Sequence, residues 1–153
     1  MKKLLVAAVA VALISLTSCG TGGSVFSAGT WSYKGVSYNA YAATGSTTAK
    51  TLTASYANSS ESDNVICYFQ TFPPAAGTYT VVNTPVSSAS QVYMVMNIGL
   101  KGFTVDVSGA STATVTVNSA GKVAVIVNSV TFSNITGQTA DSGPFTASFT
   151  QNL

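Results

Sequence analysis

Side chains able to move a proton or hold a metal are scarce in this chain, and the scarcity narrows its chemistry. There is no histidine, so a Ser-His-Asp triad, a Cys-His pair and a histidine-ligated metal are excluded together. Beyond residue 18, acid and base work is left to four carboxylates (Glu61, Asp63, Asp106, Asp141) and four lysines (Lys34, Lys50, Lys101, Lys122). A glycosidase pair needs two carboxyl groups roughly 5 to 10 Å apart across a cleft. Only Glu61 and Asp63 are close in sequence, within Asn58-Ser59-Ser60-Glu61-Ser62-Asp63-Asn64, a polar run that reads as a turn. Calcium favours clustered oxygens of this kind, yet the spacing of Glu61, Asp63 and Asn64 matches no calcium loop. The expectation is a protein that is not an enzyme and takes neither cofactor nor metal.

Two cysteines carry the remaining chemistry. Cys67 lies in Val65-Ile66-Cys67-Tyr68-Phe69 with no basic neighbour to lower its pKa, and reads as a small buried hydrophobe. Cys19 stands elsewhere. Lys2 and Lys3 precede 13 uncharged residues from Leu4 to Leu16, well short of the roughly 20 that a membrane-spanning helix needs and in keeping with a secretory signal. Leu16-Thr17-Ser18-Cys19 resembles the lipobox of bacterial lipoproteins. That resemblance implies cleavage before Cys19 and a diacylglycerol thioether on its sulfur, often with an amide-linked third chain. Each buried methylene contributes roughly 0.8 kcal/mol, so two or more chains hold a protein stably at a bilayer. Glycine at position 20, by the sorting rule of enteric bacteria, implies the outer membrane. Gly20-Thr21-Gly22-Gly23-Ser24 then has the composition of a flexible tether.

The expected organisation is a signal peptide over 1–18, a lipidated cysteine with its tether over 19–29, and a single domain over 30–153. From Cys19 onward 135 residues remain, one domain's worth. Their four lysines balance their four carboxylates and there is no arginine, so no basic stripe exists to neutralise phosphates and nucleic acid is excluded as a partner. Solvation must come from Ser, Thr, Asn and Gln instead.

The elements that would position these residues are strands. Short runs rich in Val, Thr, Tyr and Phe alternate with Gly, Pro, Asn and Ser clusters, and no helical period is present. Trp31 and Tyr33 alternate with polar residues, Lys34-Gly35 reads as a tight turn, and Val36, Tyr38 and Ala40 resume the pattern as an opening hairpin. Thr47 to Ala57 reads as a third strand. Val65 to Phe72 is apolar on both faces, as for a strand covered on each side, and Pro73-Pro74 ends it. A strand from Thr78 to Asn83 and a loop from Thr84 to Ser90 follow. Val92, Met94, Met96 and Ile98 then share one strand face, and Gly99-Leu100-Lys101-Gly102 turns into Phe103 to Val107, where Asp106 reads as a charge that blunts a sheet edge.

The clearest signal is the hairpin from Ala113 to Phe132, turning at Asn118-Ser119-Ala120-Gly121. Val123, Val125 and Val127 share one parity and Val130 and Phe132 the other, so a bulge or bend is expected at Asn128-Ser129. Phe145, Ala147 and Phe149 pattern a last strand. These runs predict an all-β fold, an antiparallel β-sandwich of about nine short strands, with a closed meander or lipocalin-like β-barrel as the alternative. The lipobox, the Gly/Ser tether, Gly77 to Val81 (Gly-Thr-Tyr-Thr-Val) and the 114–132 hairpin resemble the small β-sandwich lipoproteins of Bacteroidota whose function is uncharacterised.

Function is expected at the surface. Tyrosine and tryptophan offer flat apolar faces with a polar tip, as sugar stacking and protein hot spots require, and Trp31, Tyr41 and Tyr93 are the candidate ligand-binding residues. The leading expectation is a membrane-anchored, non-catalytic extracytoplasmic module of the cell envelope that binds a glycan or an envelope protein. Two other readings differ in class. A lipocalin-like carrier would line a cavity with Met94, Met96, Val123, Val125 and Phe145, and a structural subunit would pair by strand addition through 145–150. Mass spectrometry of the membrane fraction is expected to find the N-terminal peptide beginning at an acylated Cys19; an unmodified Cys19 would overturn the anchor.

Overall fold

The structure is a computed structural model, and it describes residues 27–57, 62–106, 111–135 and 141–153. The signal peptide, Cys19, most of the tether and Glu61 lie outside the described residues. The described chain is all-β with no α-helix: β1 (Gly29–Tyr33), β2 (Val36–Ala40), β3 (Ala42–Ser46), β4 (Thr51–Ala57), β5 (Ser62–Tyr68), β6 (Gly77–Val82), β7 (Gln91–Ile98), β8 (Lys101–Asp106), β9 (Thr112–Val117), β10 (Val123–Asn134) and β11 (Gly143–Thr150).

All eleven strands belong to one sheet, in the order β2-β1-β11-β10-β9-β6-β7-β5-β4-β3, with β8 bridging β10 and β7 off that path. The opening hairpin forms as its residues dictate. Lys34 and Gly35 both take positive φ (51° and 78°), the pair of left-handed positions that a two-residue hairpin turn needs to match strand twist. At Tyr41 the chain changes partners: Ala40 pairs with Gly29 of β1, whereas the Tyr41 N–H donates to the Ser55 carbonyl at 3.0 Å and β3 pairs with β4.

β10 carries the predicted irregularity. Val127 stands opposite Ala147 and Val130 opposite Phe145, so three steps on β10 match two on β11. The extra residue keeps Val123, Val125 and Val127 and then Val130 and Phe132 all pointing into the core. It also divides the strand's other edge, where Val123 to Val127 pair with β9 and Thr131 to Asn134 with β8.

Three expectations are corrected. Among the described residues there are eleven strands and not about nine, because Thr47 to Ala57 is not one strand: the chain turns over 47–50, and a separate β3 of sequence Ala-Ala-Thr-Gly-Ser precedes it, too weak in β-propensity to read by itself and held by its pairing with β4. The sheet is mixed and not purely antiparallel, since Thr80 to Val82 of β6 run parallel to Gln91 to Tyr93 of β7. Parallel neighbours ordinarily need a crossover of a dozen residues or more; here the pair overlaps over three residues only, and the compact 83–90 loop suffices. Asp63 is in β5 and not in a turn: it is buried, opposite Tyr56, and its Oδ1 accepts the Gly99 N–H at 2.8 Å. Asp106 is exposed as expected; it pairs with Thr131 of β10 and lies past the last rung between β8 and β7, Thr104 opposite Val95.

One hydrophobic cluster fills the interior, with Trp31, Phe103, Phe132, Phe145 and Phe149 its largest fully buried side chains. Strands distant in the sheet order meet there: the rings of Trp31 on β1 and Tyr56 on β4 are 6.4 Å apart, and Tyr33 lies 5.1 Å from Phe103 on β8. The sheet is therefore folded back on itself. Its outer face over β6, β9 and β11 presents Thr78, Thr80, Thr114, Thr116, Thr146 and Ser148, all exposed, which solvates the protein without charge.

Gly29 marks where this packing begins. Its φ is 139°, and a Cβ placed on it would lie 2.2 Å from the Ser148 carbonyl oxygen and 2.5 Å from the Phe149 Cα. Gly35 also has positive φ but open space around it. Gly35→Ala is expected to cost about 1 kcal/mol from backbone strain alone, and Gly29→Ala at least about 3 kcal/mol from strain plus overpacking. Urea unfolding of the two variants checks this, and equal losses would contradict the close approach at Gly29.

Candidate functional site

Register places two tyrosines side by side on the outer face. Tyr68 ends β5 and stands directly opposite Tyr93 near the start of β7. Alternation turns Val65, Cys67, Val92, Met94 and Met96 into the core and leaves Tyr68 and Tyr93 half-buried. Their rings lie 5.4 Å apart, inclined at 30°, so together they form a close, tilted aromatic surface. Ile66 and Val95 pair next along these strands, then Asn64 and Asn97, whose side chains are joined by a 2.8 Å hydrogen bond from Asn97 Nδ2 to Asn64 Oδ1.

This surface is the floor of a groove of about 490 Å³ lined by Lys50, Tyr68, Phe69, Gln70, Pro85, Val86 and Tyr93. Three segments build it. The 47–50 turn brings Lys50, whose carbonyl accepts the Phe69 N–H at 2.9 Å. The chain leaving β5 supplies Gln70 before the cis Phe72–Pro73 bond. The 83–90 loop supplies Pro85 and Val86 and is tied down by Gln91, whose Oε1 accepts from the Ser87 N–H at 3.0 Å and the Ser88 N–H at 3.2 Å. A volume in the range of small-molecule sites, roughly 300 to 1,000 Å³, with apolar walls and few polar groups, is the usual form of a ligand pocket.

The structure does not bring the three sequence-derived candidates together. Tyr93 is in the groove. Tyr41 stands half-exposed at the turn between β2 and β3, away from the groove lining. Trp31 is 1% exposed; its ring stacks on Tyr38 at 5.3 Å with Tyr56 edge-on. Its Nε1 is buried with no hydrogen-bond partner among the described residues, so Trp31 offers no face to a ligand at the surface. Tyr68, Lys50 and Gln70 were missed, although parity could have found Tyr68, since it shares the phase of Ile66 and opposes that of Cys67. The stretch from Val65 is covered on one face only, its outer face being half-exposed.

No family model, no curated protein and no solved structure matches this chain. The chemistry must be read from its own residues. Asp141 accepts from Lys101 at 2.9 Å and from Lys34 at 3.0 Å. Those two ammonium groups, Lys101 first, hold its carboxyl below the usual aspartate range. The clamp ties Asp141, two residues before β11, to the β1–β2 turn and to β8, and the Tyr33 hydroxyl adds a hydrogen bond to the Asp141 carbonyl at 2.9 Å. Among the described residues no three His, Cys, Asp or Glu side chains converge where a metal could be held, and no helix is long and apolar enough to cross a membrane.

Cys67 is fully buried beneath the groove floor, and loss of hydration pushes its thiol up to about 12. A protonated, enclosed thiol is a poor nucleophile. In the native protein at pH 8, Cys67 is expected to resist a disulfide reagent for hours and to react within minutes in denaturant, with peptide mapping identifying the labelled residue. Rapid native labelling would contradict its enclosure.

Proposed function

We propose that this protein is a membrane-anchored, non-catalytic module of the bacterial cell envelope, and that it binds a glycan in the Tyr68–Tyr93 groove. The observation that carries the binding reading is the paired rings: two tyrosines 5.4 Å apart and inclined at 30°, half-exposed in a concave site. A pyranose ring has a C–H face that packs on such a surface, while its hydroxyls reach the polar tips of tyrosine and the amide of Gln70. The anchor at Cys19 and the tether rest on the lipobox resemblance. By that reading the domain stands outside the cytoplasm on the outer membrane, where envelope glycans are at hand. For the body we favour the sandwich over the closed barrel, because the change of partners at Tyr41 and the bulge before Val130 are the devices by which strands pass from one layer to another.

Two competing readings find less support. A carrier with an apolar ligand inside would need space around Met94, Met96, Val123, Val125 and Phe145, and all five are buried members of the one core cluster. Strand addition through 145–150 would need an open edge, and β11 is paired with β1 on one side and β10 on the other.

Screening the full-length protein on immobilised glycans, followed by calorimetric titration of the best ligand, tests the proposal. Tyr93→Ala and Tyr68→Ala should each weaken binding about fivefold or more, the equivalent of roughly 1 kcal/mol or more for a stacked aromatic. Tyr41→Ala should leave binding unchanged. A silent screen, or a ligand indifferent to both groove substitutions, would remove the reading.

A further inference from the structure

The groove has a charge as well as a shape. Among its described lining residues there is one cation, Lys50, and no carboxylate. Of the four lysines beyond residue 18, Lys34 and Lys101 are both taken by Asp141, and Lys122 lies just before β10, outside the groove lining. The exposed Lys50 side chain has no carboxylate partner among the described residues. Its place is fixed by the backbone: φ is 56°, and the Lys50 carbonyl is held by the Phe69 N–H, next to Tyr68. The described lining of this aromatic site thus carries one positive charge and no negative one.

We propose that the groove selects an acidic saccharide, a hexuronic acid unit in which the pyranose face lies on Tyr68 and Tyr93 and the ring carboxylate meets the Lys50 ammonium. This rests on the glycan reading above and adds the class of sugar. The rings provide affinity for any pyranose, and the lysine discriminates. An exposed ion pair contributes little, but one formed beside aromatic walls on a ligand that displaces water is stronger, as charge-assisted hydrogen bonds generally are. A neutral sugar leaves Lys50 hydrated and loses nothing but the pair.

The test uses the full-length protein with two probes that share one sugar backbone and differ in charge, tetragalacturonate and its methyl ester, titrated at pH 7 in low salt. The acid should bind about three- to tenfold more tightly than the ester, and the preference should fade as salt approaches physiological strength and screens the pair. Lys50→Gln should abolish the preference while leaving ester binding intact; Lys122→Gln should change neither. Equal binding of acid and ester by the unsubstituted protein, or a preference that survives Lys50→Gln, would overturn the acidic-sugar inference and leave the glycan reading standing. Absence of binding by both probes and by every neutral glycan would remove the glycan reading itself.

Discussion

A twelve-residue strand cannot serve a sheet that folds back on itself unless it changes step, and β10 changes step once, between Val127 and Val130. Much of the architecture hangs on that residue count. Before the bulge β10 faces β9, and after it β8, so the extra residue is also where the sheet divides around β8. Because side chains alternate with a period of two, an uncompensated bend would have turned Val130 and Phe132 outward; the added residue restores their facing. Phe132 then meets Phe145 at 4.6 Å in the core.

Parity explains which parts of the fold could be read in the sequence. The opening hairpin, the faces of β7 and β11, the hairpin from Ala113 and the break at Asn128-Ser129 all follow from apolar residues recurring at every second position. Where alternation is weak, the reading failed. β3 consists of Ala, Thr, Gly and Ser, and it is a strand because β4 offers it a ladder. Asp63 looks like a turn residue by type, but its carboxylate is satisfied by the Gly99 N–H across the sheet. The parallel pairing of β6 with β7 depends on how the 83–90 loop is folded by Gln91, an interaction that no local pattern announces.

The candidate site was less legible for a related reason. Residue type nominated Trp31, the most obvious aromatic for a sugar, yet its inward parity puts it in the core, stacked on Tyr38. Tyr93, nominated by type as well, faces away from Val92 and Met94 and does line the groove. Its companion Tyr68 stood in a run that reads as apolar on both faces, and only the cross-strand register with Tyr93 joins the two rings. Lys50 and Gln70 come from turns, whose positions are set by what they pack against.

The C-terminal tail is tied to the start of β3 largely through one residue. Asn152 Oδ1 accepts the Ala43 N–H at 2.8 Å, Asn152 Nδ2 donates to the Tyr41 carbonyl at 3.2 Å, and the Asn152 N–H donates to the Ala43 carbonyl at 3.0 Å. The carboxamide thus imitates a peptide group and supplies both halves of a ladder rung where no strand runs. Only an amide has donor and acceptor at that spacing. Hydrolysis of this one side chain to a carboxylate would turn the rung's donor into a second oxygen facing the Tyr41 carbonyl, so ageing by deamidation would loosen the tail from the corner where β2 becomes β3.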